Sequence, residues 1–536
     1  MKKTTVKTVA SVTLITALGS TGYLAANGAP PVAAAPNAAA VQKLDAQTHY
    51  SDEDLKWDSS DEEAIDLANP TAIDGVSVEN GTITITSGGT YRLTGEYSGQ
   101  VKIEAGRSDT VRLVLDNAKI TNSTGAAINV VSAAEAIIYT AAGTTNTVAD
   151  EANYTATGDD DPDAAIYSTA NLTLTGEGSL SVKGAYEEGI HTTGGLVIAS
   201  GTLEVNAANT GIKGKDYVDI TGGIVNVTAA QDGIKSTNTD DESLGFTRLS
   251  AGSVTVSAGD DGLKAPHTLE ISGGTLNIEK SNEGIEAQYI NILDGDVTVN
   301  STDDGINASL KDSSSDTSSD TTSGTAITGQ QTQQNQNGQT QQAPAGGGAA
   351  PGGSQGSTGQ NQNMPQPPTD GTMPGGGGGT FEVVDAAINI SGGTVTVNAE
   401  GDGIDSNGTA TFSGGTVTVN GPAAGGNNAL DSNGDLLLNG GTVTTGSTAD
   451  MFEAPSSAST SGYLKITDSS ALTQGSTVQV TDSSGTVVAN YKITTSGVQL
   501  VLVSNKNIVK GQSYTVSVTS GDVDIDSTDV ANGATE

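Results

Sequence analysis

The sequence predicts an all-β chain wound as a right-handed parallel β-helix, a solenoid of about 22 residues per coil with a long disordered loop insertion and a C-terminal β cap. Three observations predict it. A Gly-Ile-like pair recurs at Gly189-Ile190, Gly211-Ile212, Gly233-Ile234, Gly262-Leu263, Gly284-Ile285 and Gly305-Ile306, at separations of 22, 22, 29, 22 and 21 residues. Each copy carries the same apolar alternation, as in Leu269, Ile271, Leu276, Ile278 and Ile285. The composition, with 71 Gly, 3% aromatics and no cysteine, favours short strands and tight turns over helices.

Period-two alternation makes each apolar run a strand with one face inward. Three short strands and three corners fit one period, and stacked coils bury their inward faces in a continuous core. A sandwich or a propeller needs a longer period. Glycine at the corners supplies the positive φ that tight turns demand.

Taken in order, residues 1–29 read as a secretory signal peptide. Lys2, Lys3 and Lys7 lead into an apolar run at 9–18, and small residues follow at Ala25, Ala26 and Ala29. The run is too short to span a bilayer, so no membrane insertion is expected, and the mature protein is expected to be secreted or held at the cell surface. Residues 30–69 read as an acidic, flexible N-terminal segment holding the sole tryptophan, Trp57. Residues 70–309 are the first part of the helix, with opening strands near 81–86, 111–115 and 136–139. The interval of 29 reads as one coil plus a seven-residue insertion within the polar run 236–244.

Residues 310–380 are rich in Ser, Gln, Asn, Gly and Pro and bury too little surface to offset their ordering entropy, so disorder is expected there. The coil pattern resumes over 381–455, at Ile388, Ile390, Val395, Val397 and Ile404. The inserted stretch is therefore a loop hung on one corner. Residues 456–536 hold strand patterns near 464–466, 478–480 and 514–518 and are expected to cap the open end, where exposed edges invite aggregation.

Alignment on the Gly-Ile pair produces two columns along the axis. Before the glycine stand Glu188, Thr210, Asp232, Asp261, Glu283, Asp304 and Asp402; after the pair stand His191, Lys213, Lys235, Lys264, Glu286, Asn307, Asp405 and Asp431. Three lysines, with Lys215 close by, thus stack beside a carboxylate row. One reading is a salt-bridge ladder that neutralises acids which would otherwise repel one another at strand spacing. The other is a cationic strip, Lys213, Lys215, Lys235 and Lys264, that meets the carboxylates of an extended uronic acid polymer.

The 62 acidic against 22 basic residues, a formal charge of −40, exclude nucleic acid and anionic membrane as partners. The absence of cysteine excludes disulfides, thiolate metal sites and a cysteine nucleophile. With only His49, His191 and His267 and no nucleophile elbow, a Ser-His-Asp hydrolase is disfavoured. His191 reads as the occupant of its corner.

The strings Gly211-Ile-Lys-Gly-Lys-Asp216, Asp232-Gly-Ile-Lys-Ser236, Asp161-Pro-Asp-Ala-Ala-Ile-Tyr-Ser168 and the recurrent Ser-Gly-Gly-Thr turns resemble the carbohydrate-binding-domain family of clostridial cell-surface β-helix proteins, related in fold to polysaccharide lyases. The likeness runs from about Gly89 to Val518. It implies a calcium-binding β-helix that attaches to cellulose and polygalacturonate-type pectin without catalysis. The chain departs from the pattern in its Gln-rich insertion and in Ala429, which stands where a corner glycine is expected.

Calcium takes six to eight oxygens, and two acid-dense loops could supply several: Asp159, Asp160 and Asp161 with Asp163, and Asp240, Asp241 and Glu242 near Asp260 and Asp261. Solvated acidic loops are the alternative. A bound calcium would bridge protein and pectate carboxylates, which explains how a polyanion tolerates an anionic partner. The main rival function is a calcium-dependent pectate lyase using Lys213, Lys235 or Lys264 as base. A structural or adhesive solenoid is the other, with outward threonine pairs at Thr394 and Thr396, Thr416 and Thr418, and Thr442 and Thr444. A monomer is expected in either case.

Overall fold

Tyr217–Ile220, Ile224–Ala229 and Ile234–Ser236 are three consecutive strands that make one coil. Val218, Ile220, Val225, Val227 and Ile234 point inward and are buried, as the alternation requires. Each strand pairs in parallel with its equivalent in the next coil, Val218 with Thr247, Val225 with Val254 and Ile234 with Leu263. The chain is thus a parallel β-solenoid with three faces, called first, second and third in the order of these strands. The computed structural model describes residues 44–155, 158, 161–310, 382–422, 425–468, 471–520 and 523–525. The signal peptide and the insertion read from the sequence lie outside the described residues, except Leu310, and so do Asp159 and Asp160.

The third face is a 13-stranded sheet that ends at Leu430–Ser432; its first strand, Val76–Glu79, is antiparallel to Thr82–Ile85 and closes that edge. The other two faces merge into one 23-stranded sheet because long strands such as Thr268–Ser281 bend through the corner between them. Within that strand Leu269 pairs with Thr247 on the first face, and Leu276 pairs with Val254 on the second. The corner is a column of glycines: Gly223, Gly252 and Gly274 have φ of 85°, 91° and 78°. A Cβ on Gly252 would lie 2.6 Å from the Gly223 carbonyl oxygen, so stacking as well as φ demands glycine there.

The two interruptions read from the sequence fall at the corner between the third and first faces. One separates Ile234–Ser236 from Phe246–Leu249, and the other separates Ile306–Ala308 from Ala387–Ile390. Across the second, Ile290 pairs with Ile388 and Ile306 with Ile404, so successive coils stay in register.

One continuous apolar core runs the length of the solenoid, and a second core forms around Leu464, Val478, Val480, Tyr491 and Val501. The last parallel strand, Thr442–Ser447, pairs antiparallel with Leu500–Ser504, which pairs antiparallel with Tyr463–Thr467. A four-stranded antiparallel sheet completes this cap, so the final coil edge is covered. At the other end the described part of the segment 30–69 begins at Leu44. Residues 44–57 lie along the outside of the first face, and the Trp57 ring packs on Tyr139 at 5.6 Å between centroids. Among the described residues no helix is long and apolar enough to cross a membrane.

Candidate functional site

On the third face, strands of two to five residues hold an inward Ile or Leu followed by an outward residue. The register makes that outward column continuous: His191, Lys213, Lys235, Lys264, Glu286, Asn307, Asp405 and Asp431 pair in succession. Neighbours in it stand about 4.8 Å apart. The preceding column lies in the corner, where Glu188, Thr210, Asp232 and Asp261 are buried. Only glycine fits after them. A Cβ on Gly233 would meet Val256 Cγ1 at 2.3 Å and the Gly262 carbonyl at 2.6 Å.

The two columns are stitched by ion pairs. Lys213 Nζ lies 3.2 Å from Glu188 and 3.6 Å from Asp163, and Lys235 lies 2.8 Å from Asp232. Lys264 lies 2.5 Å from Asp261 and also pairs with Glu286. The lysine side chains remain 21–23% exposed, whereas those of Glu188 and Asp261 are 4% and 3% exposed. The salt-bridge ladder is therefore present, and its lysine side chains stay partly exposed. Lys215 does not share in the row: it is an exposed corner residue whose carbonyl accepts from Thr237 N and Asn238 N.

Three carboxylate triplets flank the lysines: Asp163, Glu187 and Glu188; Asp232, Asp260 and Asp261; and Asp261, Glu283 and Glu286, each with ligand atoms within 4.8 Å of one another. In the first, Glu188 Oε2 is buried without a hydrogen-bond partner, the kind of orphaned oxygen a cation would satisfy. Burial pushes Glu188 upward against the pull of Lys213. For Asp163, burial acts upward too, but the hydrogen bond from His191 and the charges of His191 and Lys213 leave it below the usual carboxylate range. Burial alone would lower Lys213, yet Glu188 and Asp163 hold it above the ordinary lysine value.

Toward the C-terminal end the outward column changes sign. Burial first, and then neighbouring carboxylates, lift Glu283, Asp402 and Asp405 to about 7, 6 and 7: Glu286 and Asp304 act on Glu283, against the pull of Lys264, and Asp304 and Asp431 act on Asp402 and Asp405. Glu453 is pushed to about 8 by burial and by its hydrogen bond with Asp431.

The acid loops read from the sequence are only partly brought together. Asp163, Asp260 and Asp261 sit in triplets, while Asp161 accepts from Gly158 N in a local turn. Asp240, Asp241 and Glu242 do not approach Asp260 and Asp261, because they occupy corners at opposite ends of the strand Ile234–Ser236. There Asn238 accepts from Asp240 N and Asp241 N, and the Asp241 carboxylate accepts from Ser243.

Three contributors escaped the sequence reading. His191 does more than fill its corner, for its Nδ1 lies 2.6 Å from Asp163 and its ring meets Tyr167 edge-on. Tyr154 and Tyr186 stack at 4.1 Å beside the first triplet, and no periodicity marks them because both lie in corners. Tyr154 is fastened by a 2.7 Å hydrogen bond to Asp150.

Comparison with known proteins gives a family match and two similar proteins. A family model described as carbohydrate-binding domain-containing protein matches residues 79–345. A carbohydrate-binding domain-containing protein of Acetivibrio thermocellus is 34% identical over 145 residues, which cover 26% of this chain and 51% of that one. The chain thus spans about half the length of the curated relative it matches. A solved structure described as a polysaccharide lyase-like protein from C. thermocellum, a gadolinium derivative, is 30% identical with a TM-score of 0.39, covering 44% of this chain and 99% of that chain. The chain belongs to the family of carbohydrate-binding domain-containing proteins.

Proposed function

We propose that the third face binds an extended acidic cell-wall polysaccharide of the polygalacturonate type, with calcium and without cleaving it, in an exported protein that acts as a monomer. The observation that carries this reading is the unbroken lysine row Lys213, Lys235 and Lys264, one cation per coil, set among carboxylate triplets on one face. An ammonium carries three donors, and Lys235 spends one described ion pair on Asp232, so capacity for a ligand carboxylate remains. Asp163, Glu187 and Glu188 are the residues that would hold calcium, which would supply a bridge between protein and uronate carboxylates. Pectic polymer ranks ahead of cellulose because charge and hydrogen bonding dominate this face.

The lyase alternative needs a lysine that gives up its proton near neutral pH. Lys213 and Lys264 are instead held above the ordinary lysine value by buried carboxylates, which suits binding and disfavours a base. The test is affinity electrophoresis in polygalacturonate with calcium and with chelator, alongside absorbance of unsaturated product. Calcium-dependent retention without absorbance supports the proposal; rising absorbance makes the protein a lyase, and no retention leaves the solenoid a scaffold.

A further inference from the structure

The lysine row is walled off at one end. Upstream of His191 the outward column of the third face runs through Lys102, Asn129 and Tyr167, one residue per coil. The side chain of Lys102 is 29% exposed and those of the row are 21–23% exposed, whereas that of His191 is 11% exposed and Tyr167 is buried. Tyr167, Ala126 and Ala164 make a small buried cluster of their own, apart from the core.

The wall is the corner segment 151–163, which stands where the next two coils turn within 185–187 and 208–211. Thr155 N donates to Thr124 O at 3.2 Å, so the segment reaches back to the preceding coil. The Tyr154 hydroxyl lies 2.7 Å from Asp150 and 2.9 Å from the Ala164 carbonyl oxygen, and its ring stacks on Tyr186 of the following coil at 4.1 Å and 10°. Asp163 reaches forward to His191 Nδ1 at 2.6 Å and to Lys213 Nζ at 3.6 Å. The wall is thus fastened on both sides of its own coil.

The other end of the row is open. Beyond Lys264 the column continues through Glu286, Asn307, Asp405 and Asp431, all partly exposed. A uronate chain meets all three lysines only when it lies along the axis, because they follow one another coil by coil at about 4.8 Å. Such a chain cannot run on past Lys213, where Asp163 and the Tyr154–Tyr186 stack stand in its path. Past Lys264 it meets no wall, only carboxylates that repel it from the face. Tyr186 is the half-buried member of the stack. Burial, and then Glu187, Asp163 and Glu188, hold its hydroxyl above the ordinary tyrosine value, so it keeps a proton to donate to a sugar oxygen.

We propose that the third face recognises the end of an acidic polysaccharide chain and not its interior, with the terminal sugar against Tyr186 and the following uronates over Lys213, Lys235 and Lys264. The inference rests on the third-face reading and adds to it which part of the polymer is bound. The test is calorimetric titration of the full chain, with calcium, using soluble polygalacturonate and the same material hydrolysed to half its mean length. At equal mass of uronate the shorter preparation has twice the ends and should bind twice the protein at saturation. Binding at an unchanged mass ratio overturns this inference alone; no binding to either preparation overturns the third-face reading with it. Oligogalacturonates reduced by borohydride at the reducing end, or carrying an unsaturated sugar at the opposite end, separate the two termini. One modification should weaken binding at least about tenfold and the other less than about twofold, and equal effects overturn the proposal. Tyr186→Ala, which leaves the lysines in place, should bring the two modified oligomers together in affinity; an undiminished difference overturns the placing of the terminal sugar at Tyr186.

Discussion

Lys213 reaches back across a coil boundary to Glu188, 3.2 Å away, because its own coil carries Thr210 where the next two carry Asp232 and Asp261. Lys235 closes its pair within its own coil, three residues away, and Lys264 does the same with Asp261 while also pairing with Glu286 of the next coil. Lys213 is therefore a staple between coils, and its removal strands the buried Glu188 carboxylate without its cation.

Lys213→Met should cost about 2–3 kcal/mol, since breaking a buried pair leaves one uncompensated charge. Glu188→Gln in the same chain should recover most of the loss. Unfolding followed by circular dichroism on the four members of this cycle checks it, and strict additivity of the two changes would contradict the staple.

Gly233→Ala should destabilise by about 3 kcal/mol, because its Cβ has Val256 Cγ1 at 2.3 Å and a carbonyl at 2.6 Å to displace. Ala429→Gly should cost less than about 1 kcal/mol. Ala429 tolerates its methyl because no third-face strand follows Leu430–Ser432, and Thr445 replaces the valine met by earlier glycines. Melting temperatures of the two variants decide the matter.

Glu283, Asp402 and Asp405 titrate near 7, 6 and 7 when folded, against about 4 for unfolded carboxylates. The folded state then binds more protons between about pH 4 and 7. Their contribution is complete below pH 4 and is lost as pH rises through 7. Asp405→Asn should therefore stabilise the metal-free protein at pH 8 by about 1–2 kcal/mol and leave it unchanged near pH 4. An equal effect at both pH values would refute this.

Calcium titration of chelator-treated protein by calorimetry should show Glu188→Gln weakening the tightest site by at least about tenfold, with Asp241→Asn without effect. Affinity should fall at pH 5, where protons compete for the same oxygens. A tight site indifferent to Glu188 would place the cation elsewhere.

In polygalacturonate, Lys235→Gln should lose about tenfold in retention, one charged contact's worth, while Lys215→Ala loses less than about twofold. Equal losses would show that general positive charge, and not the row, is recognised.

The Gly-Ile pairs made the third-face register legible residue by residue, because a strict spacing forces equivalent side chains into one line. The lysine–carboxylate pairing was legible too, since both columns follow from that spacing. What stayed hidden lies off the repeat. Asp240 and Asp260 are close in sequence number yet occupy different corners, and a linear string does not show which corner a loop leaves. The covering of Tyr217 by His49, 168 residues earlier, has no periodic signature at all.

The corner between the third and first faces takes nine residues in one coil and the whole of 309–386 in another, and the coils on either side pair as though nothing intervened. Loop-closure entropy grows only logarithmically with length, so the difference costs little more than about 2 kcal/mol. That junction behaves as a socket. A foreign peptide, a reporter or a second recognition module could be spliced there without disturbing the ladder, and natural variants of this protein have a ready place to diverge in what they display.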